Sequence, residues 1–225
     1  PCANRVQEGD LDRPPITAEG RRVIIIGGGD TGADCLGTAH RQGAKSVHQF
    51  EIMPRPPEER PDAHPWPTWP FTYKVTSAHE EGGERGYSVS TKEFTSDEEG
   101  NLTGLRFVEV EQRFTDGAMT FDEVPGTDTE LPADLVFLAL GFTGPDDSPL
   151  LEHLNVDRDR RSNVARDASY RTSVDNVYAC GDMGRGQSLI VWAIAEGRAC
   201  AAAVDEALMG ATLLPAPVTP TDRPL

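Results

Sequence analysis

Residues 23–26, "VIII", are four apolar residues in a row, the pattern of a strand buried on both faces of a parallel sheet. A glycine turn follows. Between Thr31 and Arg41, Ala33, Leu36 and Ala39 recur on or near one face, which predicts a helix stopped by Gly43. Residues 46–51 read as a second strand. Together they form one βαβ unit of about 30 residues. Residues 53–70 contain seven prolines, so neither a helix nor a central strand is expected there. From Tyr87 to Val124 the pattern alternates at period two, interrupted by "DEEGN" and "TDG". That predicts an antiparallel meander of three strands. Residues 133–141, "ADLVFLALG", read as a further buried strand, and residues 145–176 as irregular. Residues 177–180 read as a short strand running into a turn, and residues 188–209 as a long, alanine-rich helix.

The glycine turn holds the first chemistry. Gly27, Gly29 and Gly32 have the G-x-G-x-x-G spacing, with Gly28, Asp30 and Thr31 between them. The first glycine permits a tight turn. The second lets the backbone approach a pyrophosphate, and the third lets helix and strand pack closely. The helix N-terminus offers free N–H groups and a partial positive charge to phosphates. The spacing alone is a weak signal. Here it follows a buried strand, opens a helix, and precedes a strand ending in an acid, Glu51, 19 residues after Gly32. A carboxylate there accepts hydrogen bonds from the ribose hydroxyls of NADH and repels the 2′-phosphate of NADPH, so the expectation leans toward NADH. Arg55, just beyond, either binds a 2′-phosphate or is a solvated loop charge.

Composition narrows the function classes. The chain has 225 residues and a net charge of −16, so nucleic acid and anionic membranes are poor partners for its surface. No apolar run reaches transmembrane length, and the first residues lack the apolar core of a signal peptide. Cys2, Cys35, Cys180 and Cys200 form no CxxC pair and no metal-ligand spacing, so reduced thiols in a cytoplasmic protein are expected and no metal site. The first residue is Pro1, and the start reads as the inside of a longer chain. "HPWPTWPFTY" is either a lid, a contact with a partner, or local packing that fixes a proline loop. The histidines are read as core or surface residues. Arg185 and Arg198 are read as phosphate contacts or as surface salt bridges.

Thr172, a short spacer, an apolar strand, then Gly181 and Asp182 before a glycine-rich turn and helix resemble the second flavin-binding motif of the glutathione-reductase-like, two-dinucleotide-domain flavoproteins. "GGGDTGADCLGT", "EIMPRPP", "PWPTWP" and "GDMGRGQSLIVWAIAEGR" together resemble the glutamate synthase small (beta) subunit family, over roughly residues 20 to 215. The resemblance implies an α/β fold: a Rossmann-like nicotinamide-binding domain with an antiparallel meander, plus the C-terminal half of a flavin-binding domain. It implies a linker at residues 1–20, an NAD(P)-binding domain at 21–141, and the returning part of an FAD-binding domain at 142–225. It assigns Gly141, Gly181, Asp182, Gln187, Ser188 and Leu189 to cofactor binding. Standing alone, Asp182 also reads as a turn-former or helix cap. The activity implied is hydride transfer from NAD(P)H to FAD. Electrons then pass over iron–sulfur clusters, expected only in an N-terminal region outside this sequence, to the glutamate synthase large subunit. No catalytic side chain is assigned, since position and electrostatics are the protein's part in such chemistry. The rival readings are the input module of a dihydropyrimidine-dehydrogenase-like enzyme and an inactive nucleotide-binding fragment.

Overall fold

Val23, Ile24 and Ile25 are wholly enclosed, and the first half of the chain is built around them. The structure, a computed structural model, describes residues 2–65, 71–115 and 118–222. Trp66 and Trp69 of the Pro/Trp-rich segment lie outside the described residues. By its contacts the chain divides into two units, residues 1–140 and 141–225.

The first unit opens with a short helix, α1 (Cys2–Gln7), in the stretch expected to be a plain linker. The far end of that stretch is also docked. Ala18 is buried, and its N–H donates to Gln42 Oε1 at 2.8 Å. One apolar side chain and one backbone anchor outweigh the extended bias of the proline-rich composition. Next come β1 (Arg22–Ile26), α2 (Asp30–Arg41) and β2 (Ser46–Glu51), the expected βαβ unit. A single turn of helix, α3 (Ser77–Glu80), leads into β3 (Glu84–Tyr87). Then follow β4 (Val89–Ser96), β5 (Leu102–Thr115), β6 (Ala118–Glu123), β7 (Thr129–Pro132) and β8 (Leu135–Leu138).

Two sheets result. The parallel one has the order β3-β2-β1-β8. The antiparallel one is centred on β5, which pairs with β4, β6 and β7. The expected meander is therefore present with one strand more. The alternation beginning at Tyr87 is not a single strand. Ser88 has φ +56°, and this left-handed residue breaks the run. Tyr87 closes the parallel sheet and Val89 starts the antiparallel one.

Period-two alternation along β1 separates the layers. Val23 and Ile25 pack with Leu36 and Ala39 of α2 on one face. Ile24, between them, points the other way and packs with Phe50, Leu105 and Ala133. The Phe50 and Phe107 rings lie 4.9 Å apart. Asp134 secures the start of β8 against β1. It accepts from Arg22 N–H at 2.8 Å and from the Arg22 guanidinium at 2.9 and 2.5 Å. The Arg22 hydrogen bonds hold its carboxyl well below the usual carboxylate range. The expectation that residues 133–141 are a buried strand needs correction. β8 is an edge strand of four residues, and Leu138, Leu140 and Phe142 are exposed.

The second unit contains α4 (Pro149–Leu154), α5 (Asp182–Arg185) and α6 (Ile190–Met209). α4 lies in the region expected to be irregular, where Pro149 sets the first helical turn and Leu151 is buried. Residues 177–180 form no strand. Among the described residues this unit has only two isolated bridges, one pairing Tyr178 with Arg171, so no ladder is available to extend them. Instead Tyr178 and Cys180 pack with Tyr170, Ala199 and Cys200 of the α6 cluster. The opposite face of α6 exposes Ile190, Val191 and Ile194. Among the described residues no helix is long and apolar enough to cross a membrane.

The layering yields a direct test. Ile25→Ala should destabilise the first unit by about 2–5 kcal/mol, because a fully enclosed side chain leaves a cavity. Leu138→Ala, on an exposed residue of the edge strand, should change it by less than about 0.5 kcal/mol. Urea unfolding followed by circular dichroism compares the two.

Candidate functional site: a glycine cradle and an aspartate turn

At the end of β1 the chain turns within two residues. Gly27 has φ +125°, and a Cβ on it would lie 2.1 Å from the Ala139 carbonyl oxygen. Gly32, in the first turn of α2, packs so near that a Cβ would lie 2.2 Å from the Gly27 oxygen. The fold itself therefore demands both glycines. Gly29 differs. Its backbone, φ −80° and ψ −175°, suits any residue, and a Cβ there would meet nothing within 4 Å among the described residues. It faces open space at the N-terminus of α2, beside the exposed Asp30 and Thr31. The first N–H groups of a helix have no partner inside it. Among the described residues no side-chain hydrogen bond caps this helix.

The turn is braced from below by residues that local sequence patterns do not mark. Gln49 on β2 is buried, and its Nε2 donates to the Gly27 oxygen at 2.9 Å. Gln49 Oε1 lies 3.0 Å from His79 Nε2. His79 Nδ1 accepts from Thr76 N–H at 3.1 Å and lies 2.9 Å from Thr76 Oγ1. Because Nδ1 accepts, the proton sits on Nε2 and is donated to Gln49. A continuous relay thus runs from α3 to the glycine turn. Burial, and behind it the charge of Arg85, pushes the His79 imidazole below its ordinary pKa. His79 is neither a core nor a surface residue but a brace of the cradle. Its only signal in the sequence is the Thr-x-x-His spacing of a capping box.

Glu51 ends β2 with its carboxylate over the turn. Oε2 accepts the Gly28 N–H at 2.6 Å and Oε1 accepts the Met53 N–H at 3.1 Å. A cavity of about 300 Å³ opens above, lined by Gly29, Glu51, Tyr73, His79, Arg85 and Tyr87 among others. Arg55 does not line it directly. Its guanidinium lies 4.1 Å from the Tyr73 ring centre and pairs with Glu58 at 2.5 Å. Arg85, from β3, lies 4.8 Å from the same ring. The Tyr87 hydroxyl is enclosed without a partner among the described residues, and burial pushes its pKa up. Arg41 is paired with Glu81 and so is engaged away from the cavity.

In the second unit Gly181 has φ +67° and ψ −154°, a conformation essentially reserved for glycine. It presents Asp182 at the start of α5, exposed to solvent. Asp182 Oδ1 accepts from Ser188 N–H at 3.2 Å and pairs with Ser188 Oγ at 3.0 Å. Its Oδ2 has no hydrogen-bond partner among the described residues. Leu189 is the N-cap residue of α6 and exposed. Gly141 stands by Gln187, whose Oε1 would be 3.7 Å from a Cβ at 141. Within this unit the assigned residues Gly141, Asp182, Gln187 and Ser188 thus fall into two neighbouring pairs. Arg198 is exposed. Arg185 is not a surface salt bridge: its side chain is 11% exposed and pairs with the buried Glu196. Among the described residues no group of His, Cys, Asp and Glu side chains could hold a metal ion.

Residues 92–197 match the family described as pyridine nucleotide-disulphide oxidoreductase. The match spans β4 to the middle of α6 and leaves out the glycine cradle. The whole chain is 61% identical to a "Glutamate synthase [NADPH] small chain" of Mycobacterium tuberculosis, covering 46% of that relative. It is 48% identical, over 89% of its length, to 10% of a "Glutamate synthase [NADH]" of Schizosaccharomyces pombe. The crystal structure of "T. acidophilum thioredoxin reductase" superposes with a TM-score of 0.57 at 23% identity, over 84% of this chain and 54% of that one. This last likeness concerns the fold alone. The chain spans about half the length of the small chains it matches. The resemblance carried by its motifs is borne out: its homologues at 61% identity are glutamate synthase small chains, and residues 92–197 match the pyridine nucleotide-disulphide oxidoreductase family.

The brace under the cradle should be sensitive to acid. The folded-state pKa of His79 is depressed, so the unfolded chain takes up a proton first as pH falls. Its contribution to stability is complete above the unfolded value of about 6.5 and is lost as pH falls through the lower, folded value. Between about pH 7 and pH 5, unfolding midpoints should fall more steeply in the wild type than in His79→Gln, which has no proton to gain there.

Proposed function

We propose that the chain contributes nicotinamide binding and part of the flavin site to an NAD(P)H-dependent flavoprotein oxidoreductase, the electron-input component of a glutamate synthase. The observation that carries this is the division of labour among the glycines. Packing requires Gly27 and Gly32, whereas nothing among the described residues requires Gly29 to lack a side chain. A ligand whose pyrophosphate lies against that backbone does. The unpartnered Tyr87 hydroxyl and the uncapped N-terminus of α2 fit a polar, anionic ligand in the same place.

When bound, NAD(P)H would supply a hydride and FAD would accept it. The chain's residues hold and orient. The N-terminus of α2 and the bare Gly29 backbone would take the pyrophosphate, and Glu51 the adenine ribose. Asp182 fits the ribityl chain of a flavin, since it is exposed, ionisable and has Oδ2 unengaged. In this reading electrons leave through iron–sulfur clusters outside this sequence to a large-subunit partner in the cytoplasm. There they would serve glutamate formation.

The lean toward NADH is replaced here by one toward NADPH. Glu51 is already occupied by two backbone N–H groups, which offset its charge. Arg85, which local sequence patterns do not single out, lines the cavity, and Arg55 shares the Tyr73 ring with it. A guanidinium lining the same cavity as Glu51 favours a phosphate. The 61% identical relatives carry NADPH in their names, and the fission yeast one NADH.

Two measurements test the reading. Gly29→Val should fold as the wild type does, yet bind NAD(P)H more weakly by at least about tenfold, the equivalent of 1.4 kcal/mol. Unchanged affinity by titration calorimetry would remove the ligand from the cradle. For cofactor choice, kcat/KM should be compared for NADPH and NADH in the intact enzyme. Arg85→Ala should lower the NADPH value by about 10-fold or more, the loss of one charge-assisted hydrogen bond, and leave NADH nearly unchanged. If Glu51→Gln alone raises NADPH use, the carboxylate governs selection and the arginines do not.

A further inference from the structure

Glu196 is the charged residue most deeply enclosed among those described, with no exposed surface. It sits in α6, away from the turn in sequence, yet four donors converge on it. Arg166 Nη1 donates to Oε2 at 2.7 Å and Arg166 Nη2 to Oε1 at 2.9 Å. Arg185 Nε donates to Oε1 at 2.7 Å, and the Gly181 N–H donates to Oε2 at 2.8 Å. The two arginine side chains are 5% and 11% exposed. Burial alone would raise the carboxyl pKa. The donors outweigh it, so the pKa lies below its ordinary value and the group is ionised at neutral pH.

The contacts share one target. Gly181 precedes α5 and Arg185 ends it, so a single carboxylate grips both ends of that four-residue turn. Arg166 runs beneath its middle, where a Cβ on Gly184 would lie 2.8 Å from the Arg166 side chain. Arg166 Nη1 also donates to the Ala179 oxygen at 3.0 Å, tying down the chain that enters the turn. At both flanks the backbone takes a conformation open essentially to glycine alone: φ +67°, ψ −154° at Gly181 and φ +86°, ψ +167° at Gly186. Such a turn persists only where its surroundings hold it. The cluster turns the Gly181 N–H inward to Glu196 and leaves the next side chain, Asp182, facing solvent.

We propose that Glu196, through Arg166 and Arg185, is a positioning residue that fixes the turn from which Asp182 meets the flavin. The inference rests on the flavin reading of Asp182 given above. Glu196 touches no part of the ligand. It acts through the direction of the Gly181 peptide, and an Asp182 carboxylate on a slackened turn loses its preset aim.

The test is a double-mutant cycle in the intact flavoprotein, read as FAD affinity after reconstitution and as the visible spectrum of bound flavin. The variants are Glu196→Gln, Asp182→Ala and the pair. Glu196→Gln should weaken FAD binding at least about tenfold and shift the flavin spectrum, with NAD(P)H binding to the glycine cradle retained. With Asp182 already removed, Glu196→Gln should add little, since residues acting as one unit are not additive. Arg166→Lys, which keeps the charge and loses the paired geometry, gives the same readout if Glu196→Gln fails to fold. A lowered melting temperature with unchanged FAD affinity and spectrum, or fully additive effects, would overturn the proposal and reduce Glu196 to a stability element. Absence of FAD from the reconstituted wild type would instead overturn the flavin reading, and the positioning role with it.

Discussion

The approach of the Gly32 Cα to the Gly27 carbonyl is the constraint on which the first unit depends. No side chain fits between them, so α2 leaves the parallel sheet at a set distance and angle. The same carbonyl accepts from Gln49, and Gln49 reaches His79 on the next connection. One backbone oxygen therefore links β1, α2, β2 and α3. Register does the rest. With Ile26 opposite Phe50 and Leu138, the ends of β2 and β8 arrive beside the turn. Glu51 and Ala139 follow directly, the first toward the cavity and the second as a wall against Gly27. Ligands of open parallel sheets gather at this carboxyl edge for the same reason.

The second unit solves a similar problem with charge. Where the cradle is held by close packing of glycines, the Asp182 turn is held by a buried carboxylate between two guanidiniums. Such a cluster adds little net stability, because desolvation cancels much of the attraction, and removing one partner leaves an uncompensated charge. Its merit is direction. Hydrogen bonds to a planar carboxylate specify orientation in a way that apolar contacts among Tyr170, Ala199 and Cys200 do not. The cluster also carries two positive charges against one negative, with the Arg185 guanidinium over the Trp192 ring at 4.5 Å and that of Arg166 over Tyr170 at 5.2 Å. The aromatic faces take up part of the excess.

Both sites place their functional backbone on turns rather than on side chains with catalytic chemistry. That agrees with the proposed role of holding two cofactors while they exchange a hydride. In each, the residue proposed to meet the ligand is exposed and the residues beneath it are enclosed: Gly29 with Gln49 in one, Asp182 with Glu196 in the other.

The sequence by itself determined the βαβ unit, the glycine cradle with Glu51 at its rim, the β5 hairpins, and the turn ahead of α6. These are local properties. An apolar run, a 3.6-residue period or a glycine spacing acts within a dozen residues, and the backbone obeys it before any distant partner arrives. Tertiary structure alone decided the rest. It split the alternating run at Ser88, since a strand's sheet depends on its neighbours. It left residues 177–180 without a ladder, since a strand exists only where another pairs with it. It also chose the polar partners. Gln49 and His79 are 30 residues apart, as are Arg166 and Glu196. Nothing in the composition around a buried glutamate names the arginine that will neutralise it. That choice belongs to the topology, because an unpaired charge in the interior costs too much to be left to chance.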